Sequence, residues 1–128
     1  RTAGTGANLL LNVGPMPNGK IQTECVERLR QMGEWMDKYG YTIYGTKQVF
    51  TLPQSWGAIT NKGKTYYIHI LEKDTPSITL NISNIKSAKW LNVDSKLVWN
   101  RDKKTGDVTF TIEGKLDDIS SIIEVEVK

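Results

Sequence analysis

A mainly β chain, an antiparallel sandwich or barrel introduced by one strand and one helix of α/β character, is the fold this sequence predicts. Three observations carry it. Leu9, Leu10, Leu11 and Val13 form an apolar run without polar alternation between Asn8 and Pro15, the pattern of a parallel strand covered on both faces. A single amphipathic stretch follows, from about Thr23 to Tyr39. From Tyr41 onward the periodicity drops to two, turn residues recur at short intervals, and no second helix is convincing.

The strand over residues 8–13 ends at Gly14-Pro15-Met16-Pro17-Asn18-Gly19-Lys20, where two prolines cannot donate to a ladder and Asn-Gly readily takes positive φ. A parallel strand needs neighbours from a larger sheet, so the chain reads as beginning inside a domain whose earlier parts lie elsewhere. In the helix, Thr23 is the expected N-cap, Glu24 and Glu27 place negative charge in the first turns, and Gly40 is the expected C′ residue. Val26, Leu29, Gly33 and Met36 recur at spacings of three and four, widened by Cys25, Met32 and Trp35, so one face is built for burial.

Strands are expected at Trp56 to Thr60 and Thr65 to Leu71 around Asn61-Lys62-Gly63-Lys64, a hairpin-like connection, and at Ser77 to Ile82 after Lys73-Asp74-Thr75-Pro76. Ile78, Leu80 and Ile82 share one face. Ala88 to Val93, Lys96 to Asn100 and Asp107 to Ile112 continue the series, with Lys103-Lys104-Thr105-Gly106 as a turn, and the end alternates Ile123, Val125 and Val127 with Glu124, Glu126 and Lys128. Roughly six to eight short strands of this kind describe a sandwich or barrel. The two regions divide near Tyr44 to Pro53, giving units 1–46 and 47–128.

With 128 residues and 38% apolar content the chain can bury an ordinary core. The chain starts at Arg1 without a basic start, apolar stretch and cleavage site, so a targeting signal is expected to be absent or already removed, and no apolar run approaches the ~18 residues of a membrane span. The net charge of +3 arises from 17 basic and 14 acidic residues scattered along the chain. Nucleic-acid binding wants clustered cations interleaved with stacking aromatics, so neither nucleic acid nor membrane is an expected partner. Cys25 has no second cysteine to pair with and suits a packed thiol.

Catalytic chemistry is sparse. His69 is the sole histidine and lies mid-strand, facing opposite to Ile68 and Ile70, the place of a structural, hydrogen-bonded imidazole rather than a triad member. No Cys/His spacing suits zinc, and neither a metal nor another cofactor is expected. Asp117-Asp118 is the only adjacent carboxylate pair, and it reads as solvated turn residues because nothing near it in sequence would raise one pKa for acid work. Gly4-Thr5-Gly6 precedes the apolar strand, whereas a phosphate loop follows one and opens a helix. Asn81-Ile82-Ser83 matches a glycosylation sequon inside an expected strand, a chance match on this reading. Trp56, Trp90, Trp99, Tyr66 and Tyr67 could stack on sugar rings, although half-buried strands favour aromatics anyway. Trp56, beside Gly57, is the one expected nearest a surface and the candidate sugar platform.

One ordered set of segments is specific: Asn8-Leu9-Leu10-Leu11-Asn12-Val13-Gly14-Pro15, Asn18-Gly19-Lys20-Ile21, Glu27-Arg28-Leu29, Gly33-Glu34-Trp35-Met36 and Ile43-Tyr44-Gly45-Thr46. This set resembles the last strand and helix of the catalytic (β/α)8 barrel of the α-L-fucosidases of glycoside hydrolase family 29, continued into their C-terminal β-sandwich. Trp56-Gly57 and the strand from Tyr66 to Leu71 resemble the family more weakly. The resemblance implies a parent enzyme that removes terminal α-linked fucose with retention, through a carboxylate nucleophile and a carboxylic acid/base, with no metal.

In that family both catalytic carboxylates belong to barrel segments upstream of the final strand, so no catalytic residue is expected in this chain. Asn12, Val13, Gly14 and Pro15 would border the fucose pocket of the intact parent, because barrel active sites lie at the C-terminal ends of the strands. One strand of eight cannot close a barrel, so the chain alone is expected to be inactive. Its implied partner is the upstream barrel, with fucosylated glycan as the parent's substrate, and the resemblance alone suggests a periplasmic or secreted setting. A glycan-binding sandwich using Trp56 or Trp99 is the alternative. Leu9, Leu10 and Leu11 are expected to pair with the sandwich edge, exchange between chains or be disordered, and self-association of the chain is the favoured outcome.

Overall fold

The computed structural model describes residues 1–50 and 54–128. Among these described residues eight strands form two antiparallel sheets. The larger has the order β1-β2-β3-β8-β5, with β1 at Lys47–Gln48, β2 at Gly57–Lys62, β3 at Thr65–Ile70, β5 at Ile85–Trp90 and β8 at Ser121–Val127. In the smaller, β4 (Ser77–Leu80) and β6 (Val98–Arg101) flank β7 (Val108–Thr111). A sandwich is thus the form the β region takes.

Alternation builds the core between the sheets. Ile59 pairs with Ile68, and Ile68 with Ile123, which lines these side chains on one face with Ile70 and Val125. Ile78, Leu80, Val108 and Phe110 of the smaller sheet close against them, and all are buried. Ile82 joins this cluster from just beyond β4, as its shared periodicity with Ile78 and Leu80 predicts. The β2–β3 hairpin turns on Gly63-Lys64, with Lys62 opposite Thr65 and Gly63 at a φ of 63°, so glycine stands where the tight turn needs positive φ. Gly57 is required for another reason: a Cβ there would run into the His69 carbonyl oxygen.

The helix α1 spans Thr23–Tyr39. Gln22 rather than Thr23 is its N-cap, without a side-chain cap, and Gly40 stays right-handed at a φ of −59° and opens a 3₁₀ turn over Gly40–Thr42. The left-handed residue comes later, at Gly45 with a φ of 70°. Helix-end residue types were legible, but the chain leaves through an extra 3₁₀ turn whose Tyr44 ring packs 3.3 Å from where a Gly40 Cβ would stand.

Two expectations for the first region fail. Residues 8–13 form no strand; the neighbouring pairing is a single bridge between Pro15 and Ile21, and Leu9, Leu10 and Leu11 are 64%, 94% and 52% exposed. A strand with no neighbour has nothing to bond, so its apolar pattern yields no ladder, and these leucines do not pair with the sandwich edge. The helix face is likewise not buried: no residue of α1 is, and Val26, Leu29 and Met32 stay exposed. Only its C-terminal half approaches the sandwich. Of the interval from Tyr44 to Pro53, residues 51–53 lie outside the described residues.

Candidate functional site

Alternation sends the other half of the larger sheet outward. Ala58 and Thr60 of β2, Tyr67 and His69 of β3 and Ile122 of β8 all point away from the core, with Ala58 opposite His69 and His69 opposite Ile122. On a bare sheet these would be wet, yet each is buried. What covers them is the first region of the chain. The 3₁₀ turn Ala3–Thr5 lies on β1 and β2, close enough that a Cβ on Gly4 would stand 2.6 Å from that of Ala58. Thr42, fully buried, accepts a hydrogen bond from Thr60 Oγ1 at 2.6 Å through its carbonyl. Tyr41 packs edge-on against Tyr67 at 5.8 Å between ring centroids, and Trp35 lies 6.4 Å from the His69 ring. Burial, with a smaller push from Glu124, raises both the Tyr41 and the Tyr67 pKa.

Because α1 meets the sheet only near its C-terminal end, a cavity of about 410 Å³ remains between helix and sheet. Met32, Trp35 and Met36 form the helical wall, Ala58, Thr60 and His69 the sheet wall. Ile119 and Ser120 close one end, and Arg1 to Gly4 another. Arg1 is pinned at the rim by its guanidinium, which donates to the Gln54 and Ser55 carbonyls at 2.7 and 3.2 Å and pairs with Glu72 at 2.7 Å.

No carboxylate is among the lining residues described. His69, the one titratable imidazole, is pushed down to about 4 chiefly by desolvation, against a hydrogen bond with the Thr42 backbone that favours the charged form. It is therefore neutral at pH 7. Trp35 Nε1, His69 Nε2 and Ser120 Oγ are buried without a hydrogen-bond partner among the described residues. The cavity can hold an apolar body that carries donor and acceptor groups; it offers no acid/base pair for bond cleavage.

The residues singled out in the sequence fall elsewhere. Asn12, Gly14 and Pro15 are exposed and Val13 half-buried, on the segment without a ladder, and none lines the cavity. Trp56 is half-buried with its ring against the core cluster, and its carbonyl accepts from the Leu71 and Glu72 N–H groups. Asp117 does the work of a turn residue, its Oδ1 accepting from the Ile119 and Ser120 N–H groups. Asp118 pairs with Lys73 at 2.6 Å, and that bond lowers its pKa. Asn81 sits just past β4, exposed, donating to Asp107 at 2.8 Å. His69 is buried in β3, and its Nε2 has no hydrogen-bond partner among the described residues. Ser120 and the Thr42–Thr60 bond carried no sequence signal, and Trp35 showed only as part of the helical stripe.

Residues 1–41 match the family model for α-L-fucosidase. The mouse tissue α-L-fucosidase is 29% identical over 120 residues, covering 83% of this chain and 25% of that protein. Human plasma α-L-fucosidase is 37% identical over 79 residues, covering 58% of this chain and 17% of that protein. Among solved structures, α-L-fucosidase isoenzyme 1 from Paenibacillus thiaminolyticus superposes with a TM-score of 0.79 at 27% identity, over 99% of this chain and 32% of that one. The Thermotoga maritima α-fucosidase solved with a mechanism-based inhibitor gives 0.75 at 29% identity, over 98% and 31%. This chain thus spans 10% to 25% of the length of curated relatives and about a third of these solved chains. In sequence and in fold the chain is similar to part of these α-L-fucosidases.

Proposed function

We propose that this chain, similar to part of an α-L-fucosidase, works as the C-terminal structural module of a longer retaining α-L-fucosidase, and that the 128 residues alone hydrolyse no fucoside. One observation carries the reading: nearly the whole chain superposes on solved fucosidases while covering less than a third of the Paenibacillus and Thermotoga enzymes. The cavity walls, which offer no carboxylate among the described residues, support it. On this reading residues 1–46 belong with the catalytic barrel and 47–128 form the sandwich, and Asn12, Val13, Gly14 and Pro15 border the fucose pocket of the longer protein. The bare Leu9 to Leu11 and the exposed Val26, Leu29 and Met32 then face the upstream barrel, and in the isolated chain they favour self-association.

The test is an aryl α-fucoside assay on the purified 128-residue chain beside the longer protein that carries its upstream sequence. Turnover by the longer protein alone is expected; measurable turnover by the short chain overturns the reading. A glycan-binding sandwich has one observation in its favour: Trp99 of β6 is 36% exposed beside Phe110. Titration with fucosylated oligosaccharides separates the two readings, since a structural module leaves tryptophan fluorescence unchanged.

A further inference from the structure

We propose that Asn18 is a self-modifying position, where attack by the Gly19 backbone nitrogen converts the asparagine to aspartate and to an isoaspartyl linkage. Both residues are exposed, in the loop from Gly14 to Lys20. No other asparagine in the sequence precedes glycine; the rest are followed by leucine, valine, isoleucine, lysine or arginine. A side chain on the following residue crowds its own nitrogen, and Gly19 has none. A Cβ built on Gly19 would meet nothing within 4 Å, so the rest of the molecule does not crowd the nucleophile either.

The Gly19 nitrogen gives its proton to solvent and bonds to Asn18 Cγ; the Cγ–Nδ2 bond breaks, and Nδ2 takes a proton from water and leaves as ammonia. A cyclic succinimide results. One water then opens it, at Cγ to give aspartate or at the Asn18 backbone carbonyl to give isoaspartate, and nothing is oxidised or reduced. The loop assists the first step, because Asn18 Oδ1 accepts from the Lys20 N–H at 3.0 Å. That bond polarises Cγ and supports the negative charge that gathers on Oδ1 in the tetrahedral state. One bond opposes it: the Gly19 N–H donates to the Met16 carbonyl at 2.8 Å and has to be released first. Release is local. The described fastenings of the loop are that bond, one from the Met16 N–H to the Lys20 carbonyl, the Lys20–Asn18 bond and the Pro15–Ile21 bridge, and surface turns of this kind open far more readily than a core.

Isoaspartate adds one carbon to the main chain and leaves a free carboxylate, which the tight turn between Met16 and Lys20 cannot absorb without giving up its bonds. On the module reading above, the loop follows Asn12 to Pro15 at the fucose pocket, so conversion at Asn18 ages the longer enzyme. The chemistry at Asn18 does not depend on that reading.

The folded 128-residue chain, its Asn18→Gln variant and a synthetic peptide from Gly14 to Gln22 are incubated at neutral and at mildly alkaline pH. Peptide mass spectrometry reads the mass gained when an amide becomes an acid, and isoaspartyl methyltransferase with a labelled methyl donor reads isoaspartate. In the folded chain the gain falls at residue 18, grows faster at the higher pH and is lost in Asn18→Gln. Conversion in the peptide but not in the folded chain overturns the proposal, as does equal conversion at another asparagine. Fucoside turnover by the longer protein is followed over the same incubation. Turnover should fall in step with isoaspartate and hold in Asn18→Gln; constant turnover while residue 18 converts overturns the ageing. A longer protein inactive from the outset overturns the module reading, and the mass result still decides Asn18.

Discussion

The two faces of the larger sheet are built by the same alternation and end in opposite conditions. Inward, Ile59, Ile68, Ile123 and Val125 meet aliphatic and aromatic partners from the smaller sheet, and no core-cluster residue carries an unpartnered buried polar side-chain atom among the described residues. Outward, Thr60, His69 and Ile122 are equally shielded, but by a helix that stands off, a 3₁₀ turn and a hydrogen bond to Thr42. One face is complete within these 128 residues; the other closes over a cavity with three polar atoms unanswered. Burial alone therefore does not identify a core. What distinguishes one is whether each buried group has found its partner.

The sharpest way to break this contrast is at the inner face. Phe110→Ala, at a fully buried ring, should destabilise the chain by about 3–5 kcal/mol, read by urea denaturation, because a close-packed core relaxes little around a lost ring. A cost below that of any outer-face substitution would mean the inner face is the looser one.

Acid probes the outer face next. His69 binds a proton near 4 when folded and near its ordinary value of 6.5 when unfolded, so the unfolded chain takes up the proton first as pH falls. Stability is full above about 6.5 and drains away between there and about 4, by about 3 kcal/mol at ~1.4 kcal/mol per unit. Unfolding curves of His69→Gln should lose that slope, and a slope identical to wild type breaks the assignment.

Thr60→Val keeps the shape and deletes the bond to Thr42. A loss of about 1 kcal/mol is expected, since one neutral hydrogen bond goes and one carbonyl loses a donor. No loss would show that the outer cover rests on packing alone. At the bottom of the scale, Lys73→Ala removes the solvent-exposed pair with Asp118 and should leave the midpoint unchanged, as isolated surface pairs do.

How far the sequence could be read follows the same division. Strand positions β2, β3, β4, β7 and β8 fall within a residue or two of where alternation and turn chemistry put them, because both signals are local. Likewise the inner-face residues Ile78, Leu80, Ile123 and Val125 follow directly from period two. Residues 8–13 had the composition of a buried strand and formed none, since composition states a need for neighbours and cannot supply them. The strand position of His69 was readable; that it would line a cavity with Trp35 and Ser120 was not, as those residues lie 34 and 51 positions away along the chain.

By itself, then, the sequence determined the class of the helix and of the sandwich strands, the turns between them, the residues of the inner core and the likeness to a fucosidase C-terminal part, all of which are written in spacing and residue type. Only the tertiary structure decided that β8 enters the sheet between β3 and β5, that the first region folds back over the outer face, and that α1 stands off far enough to leave a cavity. These are matters of non-local pairing and of which surfaces meet, and no periodicity along the chain encodes a distance across it.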